Sequence, residues 1–295
     1  MHFFFKQLFI YSILLSLTAP AVLAQKKQTN KRKPMTFPQV RVEPLPIPQE
    51  FISHRVNTPL LDTIFLLPPV RKRLPNPCEQ FDAFSRQVHE GGIDEYHGKT
   101  QLLQIVAQID QYYAQKGGVY YGQESWIFPV EGYGSDAIGG NGSGFKAAGY
   151  NYFTRRTGHP AHDIFIHDGD QDSFDDQTLQ PVNVLSLSGG VVVSAEHYWD
   201  SYSTRRGGVY VWIYDPASRR LFYYAHHTQI FVKVGDLVKP GQIIGQVGRT
   251  GFNAAKMRSP THLHTSCHLI GTDGSVTAYN FYDDLCAANR RRGTF

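Results

Sequence analysis

The chain has 295 residues and a formal net charge of +4. A length of this order suits one large domain with an accessory region, or two modest domains. The charge is mild, and much of it lies in short basic runs such as Lys31-Arg32-Lys33 and Arg71-Lys72-Arg73, which are typical of solvated tails. No basic motif indicates a nucleic-acid-binding module, so we expect no nucleic-acid partner.

The first 24 residues have the pattern of an export signal. Lys6 is their only charge, an apolar run from Leu8 to Leu17 follows it, and Val22-Leu23-Ala24 offers small residues for cleavage. The alternative is an uncleaved membrane anchor, but the apolar core is short for a span of about 20 residues. We therefore expect a signal peptide over 1–24, no membrane span after its removal, and a periplasmic or secreted protein.

Two segments of different composition come next. Residues 25–75 are rich in Pro, Lys, Arg and Gln, which is typical of a linker or extended segment. Residues 76–119 are expected to be a helical prefix, because apolar residues recur there at helical spacing. Gly117-Gly118 offers a helix end. The apolar positions are Phe81, Phe84, Val88, Leu102, Ile105, Val106, Ile109 and Tyr113.

Residues 120–285 are expected to form a β-rich domain. Short runs with high β propensity alternate with glycine-containing turns, and few helical windows interrupt them. The predicted fold class is therefore mainly β, an antiparallel sheet or sandwich with a short helical N-terminal region. The glycine-rich stretch 132–149 is expected to be a loop or covering flap, and 286–295 a basic C-terminal tail. The predicted strands cover 182–193, 209–214, 220–226, 231–234, 242–247 and 263–270.

The chain has three cysteines. An oxidising compartment permits a disulfide, and three thiols allow three pairings. We favour Cys78–Cys286, because each lies near an edge of the main folded part. Cys267 is expected to be a small buried hydrophobe, since its odd offset from His264 turns it to the opposite sheet face.

Four polar residues have the spacing of a metal site. His159 and Asp163 are four apart, and His262 and His264 are two apart. On strands, side chains with even offsets point the same way, so two strands can aim three imidazoles and one carboxylate into one space. These are zinc ligands. A catalytic zinc keeps three protein ligands and leaves one position for water, so one member of the His-x-His pair should face the site without binding. The spacing alone leaves open which one.

Together, five segments resemble the lysostaphin/LytM-type zinc metalloendopeptidases, which cut peptidoglycan peptides. The resemblance covers roughly 120–275, and Ala161 replaces a glycine that is usual in the first segment. In chain order the segments are Gly158-His159-Pro160-Ala161-His162-Asp163-Ile164, Tyr224-Ala225-His226, the stretch 234–245, Gly248-Arg249-Thr250-Gly251 and Thr261-His262-Leu263-His264.

The resemblance implies a division of roles among these residues. It makes His159, Asp163 and His264 the ligands of one Zn²⁺ per chain, and His226 and His262 the catalytic histidines beside it. The implied function is an exported zinc endopeptidase that hydrolyses peptidoglycan peptides with a metal-activated water.

Two other functions remain open. A relative that has become catalytically inactive would bind and regulate another cell-wall enzyme as an adaptor. The hairpin at 234–247 also resembles segments of lipoyl-type and sugar-transport carrier domains, but a carrier needs no zinc triad. Cleavage of peptides together with bound zinc would favour the enzyme.

The acidic stretch 167–176 and Tyr152 also bear on the site. Asp168, Asp170 and Asp172 invite a calcium interpretation, but Ser173 replaces the turn glycine of an EF-hand and Leu179 its bidentate Glu. A solvated acidic loop is therefore favoured over a calcium site. Tyr152, a few residues before the first ligand, is a candidate oxyanion partner.

Overall fold

A computed structural model describes residues 74–154 and 158–292 of the chain. The expected signal peptide over 1–24 and nearly all of the expected linker over 25–75 lie outside these residues. The described part folds into two antiparallel β-sheets and three α-helices, so the predicted mainly antiparallel β class is confirmed. Within it, no helix combines the length and the apolar character that crossing a bilayer requires.

Two helices open the described part, α1 (Pro77–Glu90) and α2 (Glu95–Gln115), within the segment expected to be helical. Asn76 caps α1, because its side chain accepts hydrogen bonds from the amides of Cys78 and Glu79. The Glu79 carboxylate returns a hydrogen bond from the amide of Asn76 at 2.8 Å, which completes a capping box. Asp94 caps α2 by accepting from the amide of His97.

Ten strands follow, and all their pairings are antiparallel. The larger sheet has the order β1-β9-β5-β4-β3-β7, with β10 beside β1 on the same edge of β9. The smaller sheet has the order β2-β8-β6. The strands are β1 (His162–Phe165), β2 (Asn183–Leu185), β3 (Gly190–Glu196), β4 (Val209–Asp215), β5 (Arg220–His227), β6 (Gln229–Ile230), β7 (Leu237–Val238), β8 (Ile243–Gln246), β9 (His262–Ile270) and β10 (Val276–Tyr279).

Both faces of the larger sheet are buried. Alternation along β4 shows this, since Val211 and Ile213 enter the core shared with the smaller sheet. Trp212 and Tyr214 instead enter the core shared with α1 and α2. Polar contacts also fix α1 to β3, because the Arg86 guanidinium lies 3.1 Å from the Glu196 carboxylate and donates to the carbonyl of Ala195.

Two expectations about elements need correction. The predicted strand over 231–234 is wrong, because residues 231–233 lie in irregular backbone and Val234 in a turn between β6 and β7. Helix α3 (Tyr282–Arg292) extends into the expected basic tail 286–295. Leu285 and Ala288 on this helix are fully buried in the core between the sheets, so the packed part of the chain continues past residue 285.

The favoured disulfide Cys78–Cys286 is also wrong, since all three cysteines are free. Cys78 is buried between α1 and one face of the larger sheet. Cys286 lies on α3, which packs against the other face through its neighbour Leu285. The sheet therefore separates the two thiols, and a disulfide needs Cα atoms within about 7 Å. Cys267 is buried on the face expected for it.

Candidate metal centre and active site

Strand pairing places Asp163 beside the His-x-His segment. Asp163 on β1 is directly opposite His264 on β9, and Phe165 is opposite His262. Residues directly opposite each other on paired strands point to the same face, and so do residues two apart on one strand. Asp163, His262 and His264 therefore share one face of the larger sheet. Ala225 on β5 flanks His264 on its other side.

His159 reaches the same place from outside the strand. It precedes β1 and forms an isolated antiparallel bridge with Lys146, with mutual backbone hydrogen bonds of 2.7 and 2.8 Å. Its Nδ1 lies 3.0 Å from the carbonyl oxygen of Gly144. The glycine-rich segment expected to be a loop or flap therefore holds the first histidine, although that histidine lies on no regular strand.

These three residues form one compact donor cluster. His159 Nε2 lies 3.3 Å from Asp163 Oδ2, and His264 Nδ1 lies 2.9 Å from Asp163 Oδ1. One ligand atom from each residue lies within 4.8 Å of the others. Burial acts to raise the pKa of Asp163, but hydrogen bonds from His159 and His264 outweigh it and hold this pKa well below its usual range.

The donor chemistry of this cluster fits a zinc ion. A carbonyl oxygen only accepts, so the contact with Gly144 places the proton of neutral His159 on Nδ1 and leaves a lone pair on Nε2. This Nε2 lies 3.3 Å from the ionised Asp163, so either a proton on an imidazolium or a metal ion between the two atoms satisfies both groups. Two imidazoles and a carboxylate are the ligand types of catalytic zinc, and three protein ligands leave a position for water.

A β-bulge places the His226 ring beside the cluster. Val209 pairs with His227 and Tyr210 pairs with Ala225, so His226 is an extra residue in β5. Its φ is +69°, a left-handed conformation that is uncommon for a residue with a Cβ. Strict alternation would send His226 to the core that holds Tyr224, whereas the bulge places its ring 5.4 Å from that of His264.

His226 and His262 each have one ring nitrogen in contact with a backbone carbonyl, and their ring centroids lie 5.0 Å apart. His226 Nδ1 lies 2.8 Å from the carbonyl oxygen of Thr250, and His262 Nδ1 lies 2.7 Å from that of Pro260. Both contacts place the neutral-state proton on Nδ1 and leave Nε2 as an acceptor. His262 Nε2 faces the cluster, 3.7 Å from Asp163 Oδ1.

Burial keeps both rings neutral near pH 7. Each of the two residues exposes less than a tenth of its surface, 8% for His226 and 7% for His262. Burial first, and then the neighbouring histidines, lower the pKa of His226 well below its ordinary value. Burial likewise lowers the pKa of His262. Neutral imidazoles with an outward lone pair are suited to accepting a proton.

The Gly248–Gly251 segment does more than its motif indicated. The Thr250 hydroxyl donates to the carbonyl of His227 at 2.7 Å and accepts from the amide of Val209 at 2.9 Å. It therefore connects β5 to β4 by hydrogen bonds at the point where the bulge interrupts their pairing. A Cβ on Gly251 would come within 2.2 Å of the Arg206 carbonyl oxygen and 2.9 Å of His226 Nδ1. Sequence reasoning gave Thr250 no role. The flanking glycines, which permit so close an approach, were the available signal.

Four other residues near the motifs lie away from the cluster. His162, His227 and His268 are buried packing residues. Tyr152 does not contact the clustered residues. Its ring packs against Trp212 and His268, and its hydroxyl is directed toward Ser85 on α1. The structure therefore does not support Tyr152 as an oxyanion partner.

The acidic loop has a structural explanation. Asp168 accepts hydrogen bonds from the amides of Asp172 and Ser173, and Asp175 accepts from those of Gln177 and Thr178. These carboxylates therefore satisfy a tight turn of the backbone. Oxygens of Asp168, Asp170 and Asp172 also lie within 4.8 Å of one another. Exposed Asp170 and Asp172 leave the expectation of a solvated loop in place.

A groove of about 950 Å³ adjoins the site. One wall is the glycine-rich segment around Gly139, and the other is the end of the acidic loop around Thr178. At one place it is lined by Phe165, whose ring lies 5.4 Å from that of His262.

Comparisons with known proteins give relatives that are peptidases. The L-Ala–D-Glu endopeptidase of Bacillus subtilis (strain 168) is 26% identical over 195 residues, which cover 64% of this chain and 51% of that protein. The glycyl-glycine endopeptidase ALE-1 of Staphylococcus capitis is 30% identical over 122 residues, 41% of this chain and 31% of that protein. The chain thus spans about half the length of the first relative and about a third of the second.

A solved structure and a family model also match. The antimicrobial peptidase lysostaphin from Staphylococcus simulans has 25% sequence identity and a TM-score of 0.32, and the match covers 45% of this chain and 44% of that one. The model of Peptidase family M23 matches residues 172–275. This match begins after His159 and Asp163, and it takes in His226, His262 and His264. Residues 172–275 of this chain are thus similar to Peptidase family M23.

Proposed function

We propose that this protein is an exported zinc endopeptidase that hydrolyses peptide bonds of cell-wall peptidoglycan. The observation that carries the proposal is the donor cluster of His159, Asp163 and His264, with the neutral rings of His226 and His262 beside it. The names of the two relatives support cell-wall peptide as the substrate class. The apolar run and small residues of the first 24 residues support export.

His159, Asp163 and His264 would hold the zinc ion. Zinc bound there supplies Lewis-acid chemistry, since it lowers the pKa of water toward 7 and polarises a carbonyl oxygen. His226 and His262 each present Nε2 as an acceptor, so either can take a proton from the attacking water. The imidazolium that results can then donate to the leaving amine or to the oxyanion. Their burial keeps bulk water from competing for these contacts.

The direct test is digestion of purified muropeptides by the full mature chain, read by mass spectrometry. Substrates should include stems with an L-Ala–D-Glu bond and bridges with glycyl-glycine bonds. We expect cleavage that stops when a chelator removes the metal and returns when zinc is restored. Unchanged muropeptides in all of these, together with retained zinc, would favour the inactive adaptor.

Substitutions test the division of roles. His264→Ala should release the zinc and abolish cleavage, because it removes a ligand. His226→Ala and His262→Ala should retain one zinc per chain and lower kcat by about 10²–10⁴-fold. His197→Ala, on an exposed loop, is the control and should match the unaltered protein in both zinc content and rate. Loss of zinc from the His226 or His262 variant would contradict these assignments.

A further inference from the structure

The two histidines assigned to proton transfer depend on two backbone carbonyls. His226 Nδ1 donates to the carbonyl of Thr250, and His262 Nδ1 donates to that of Pro260. Both acceptors lie on loops, not on strands of the larger sheet. The orientation of each ring therefore depends on the position of its loop. Both rings are correctly oriented only if the two loops are held in place relative to each other.

Arg249 makes that connection. It immediately precedes Thr250, and its guanidinium reaches across to the loop that leads into β9. Its Nη1 donates to the carbonyl of Ser259 at 2.7 Å and to the hydroxyl of Thr261 at 3.0 Å. Its Nη2 donates to the carbonyl of Lys256 at 3.1 Å. Two of these acceptors are the immediate neighbours of Pro260, so one planar group restrains the residue on which His262 depends.

A second link fixes the same point from the acidic loop. The Thr261 hydroxyl, which accepts from Arg249, donates to Asp168 Oδ2 at 2.5 Å. Asp168 and Thr261 are both buried, with 7% and 1% of their surface exposed. Arg249, Thr261 and Asp168 thus form a continuous chain of hydrogen bonds with a cation at one end and a carboxyl group at the other. Such a chain is geometrically stiff, because each member has a fixed partner.

We propose that Arg249 is a positioning residue that holds His226 and His262 in register, through Thr250 on one side and through Thr261, braced by Asp168, on the other. Its effect on rate rests on the proposed peptidase function. Its effect on ring geometry does not. The planar shape of the Arg249 guanidinium is more important for this role than its charge, because the three acceptors on the loop need N–H donors that point in two directions.

Arg249→Met keeps the aliphatic stem and removes all the donors. We expect this variant to retain one zinc per chain and to lose about 10–100-fold in kcat with KM changed less than about twofold, because misplaced catalytic groups reduce the chemical step. Arg249→Lys keeps the charge and should recover only a small part of the loss. Arg258→Met is the matched control on the same loop. Arg258 is exposed, and the structure shows no hydrogen bond from its guanidinium among the described residues.

A measurement independent of activity separates this inference from the proposed function. In ¹⁵N spectra of the zinc-loaded protein, His226 and His262 should both show the Nδ1-protonated tautomer. In Arg249→Met the His262 ring signals should shift or become mixed, and in Arg258→Met they should not. Thr261→Val, which keeps the side-chain shape, should give a smaller shift of the same kind and serves if Arg249→Met fails to fold. Unaltered His262 ring signals in both Arg249→Met and Thr261→Val would overturn the inference, whether or not the natural protein cleaves muropeptides.

Discussion

His226 combines a proposed catalytic role with a backbone conformation that disfavours most residues. At φ +69° a Cβ costs about 1–2 kcal/mol, whereas glycine is unstrained. His226→Gly and His226→Ala lose the same ring and the same hydrogen bond, so their difference isolates the backbone. We expect the glycine variant to be more stable than the alanine variant by about 1 kcal/mol in urea unfolding without metal.

The neighbouring position gives the opposite expectation and so serves as the control. Ala225 lies in the regular part of β5, opposite His264. There Ala225→Gly should lower the free energy of unfolding by roughly 0.5–1 kcal/mol, because glycine loses more conformational freedom in a strand. An alanine variant at 226 as stable as the glycine variant would mean that the bulge does not persist in solution.

His227 predicts a pH dependence. Burial lowers its pKa from 6.5 to about 4, and a hydrogen bond to the carbonyl of Gln246 only partly opposes this. The folded state thus keeps His227 neutral while the unfolded state binds a proton below pH 6.5, so its contribution is present above pH 6.5 and falls as the pH drops toward 4. Between pH 7 and 5 the unaltered protein should lose roughly 1–2 kcal/mol more than His227→Gln.

Unfolding in urea at both pH values measures this difference. The exposed loop residue His197 provides the control, since His197→Gln should keep the full pH dependence of the unaltered protein. Equal slopes for His227→Gln and the unaltered protein would contradict a buried neutral imidazole at this position.

The alternation of side chains along a strand explains which residues of the site could be predicted from the sequence. Alternation correctly put Asp163, His262 and His264 on one face and Cys267 on the other. It did not place His226, because a bulge reverses the parity and leaves no mark in residue spacing. Only the family resemblance pointed to that histidine.

At the scale of elements, the turn at Gly251 leaves almost no space for a side chain. Its φ is +111°, and an added Cβ would collide with the Arg206 carbonyl oxygen at 2.2 Å. Gly117, at the end of α2, also has positive φ but has no heavy atom within 4 Å of such a Cβ. We expect Gly251→Ala to destabilise the fold by roughly 1–3 kcal/mol more than Gly117→Ala, since overpacking adds to the backbone strain that both share.

The same substitution should also displace His226, because the added Cβ would lie 2.9 Å from its Nδ1. Gly251→Ala should therefore lower kcat while leaving the zinc ligands occupied, and Gly117→Ala should leave kcat unchanged. Thermal unfolding, zinc analysis and muropeptide turnover together test this. Equal stability and equal turnover of the two variants would show that the segment can move away from β5 at little cost.

Element prediction succeeded where the hydrophobic pattern was long and failed where it was short. The two N-terminal helices and the strands at 209–214 and 263–270 have several apolar positions with one clear period. The run at 231–234 has too few residues to distinguish a strand from a packed turn. Helix α3 was hidden by its basic residues, although Phe281, Leu285 and Ala288 repeat at helical spacing.

For the whole molecule, α1 and α2 form an integral part of the core. They cover one face of the larger sheet, including Trp212 and Tyr214. They also support the segment before His159, because Asn151 donates to the Glu95 carboxylate at 3.0 Å and Gly98 lies against the ring of Phe153. These contacts favour a role for the two helices in stabilising the sheet.

A single core substitution measures how much α2 contributes. Ile109 is fully buried between α2 and the sheet, and Ile109→Ala should lower the free energy of unfolding by about 2–5 kcal/mol. Gln108, its exposed neighbour on the same helix, is the control, because Gln108→Ala should change stability by less than about 0.5 kcal/mol. A loss below about 1 kcal/mol for Ile109→Ala would mean that α2 is only loosely attached.

Removal of both helices is the stronger test. A chain that starts at residue 74 keeps α1 and α2, and one that starts at residue 119 lacks them. The first should unfold cooperatively and bind one zinc. The second exposes a sheet face with two large aromatic side chains, so it should aggregate or bind a hydrophobic dye without a cooperative thermal transition. If the shorter chain were instead soluble, cooperative and more active on muropeptides, the helices would restrain the peptidase domain, and a pro-segment role would replace the structural one.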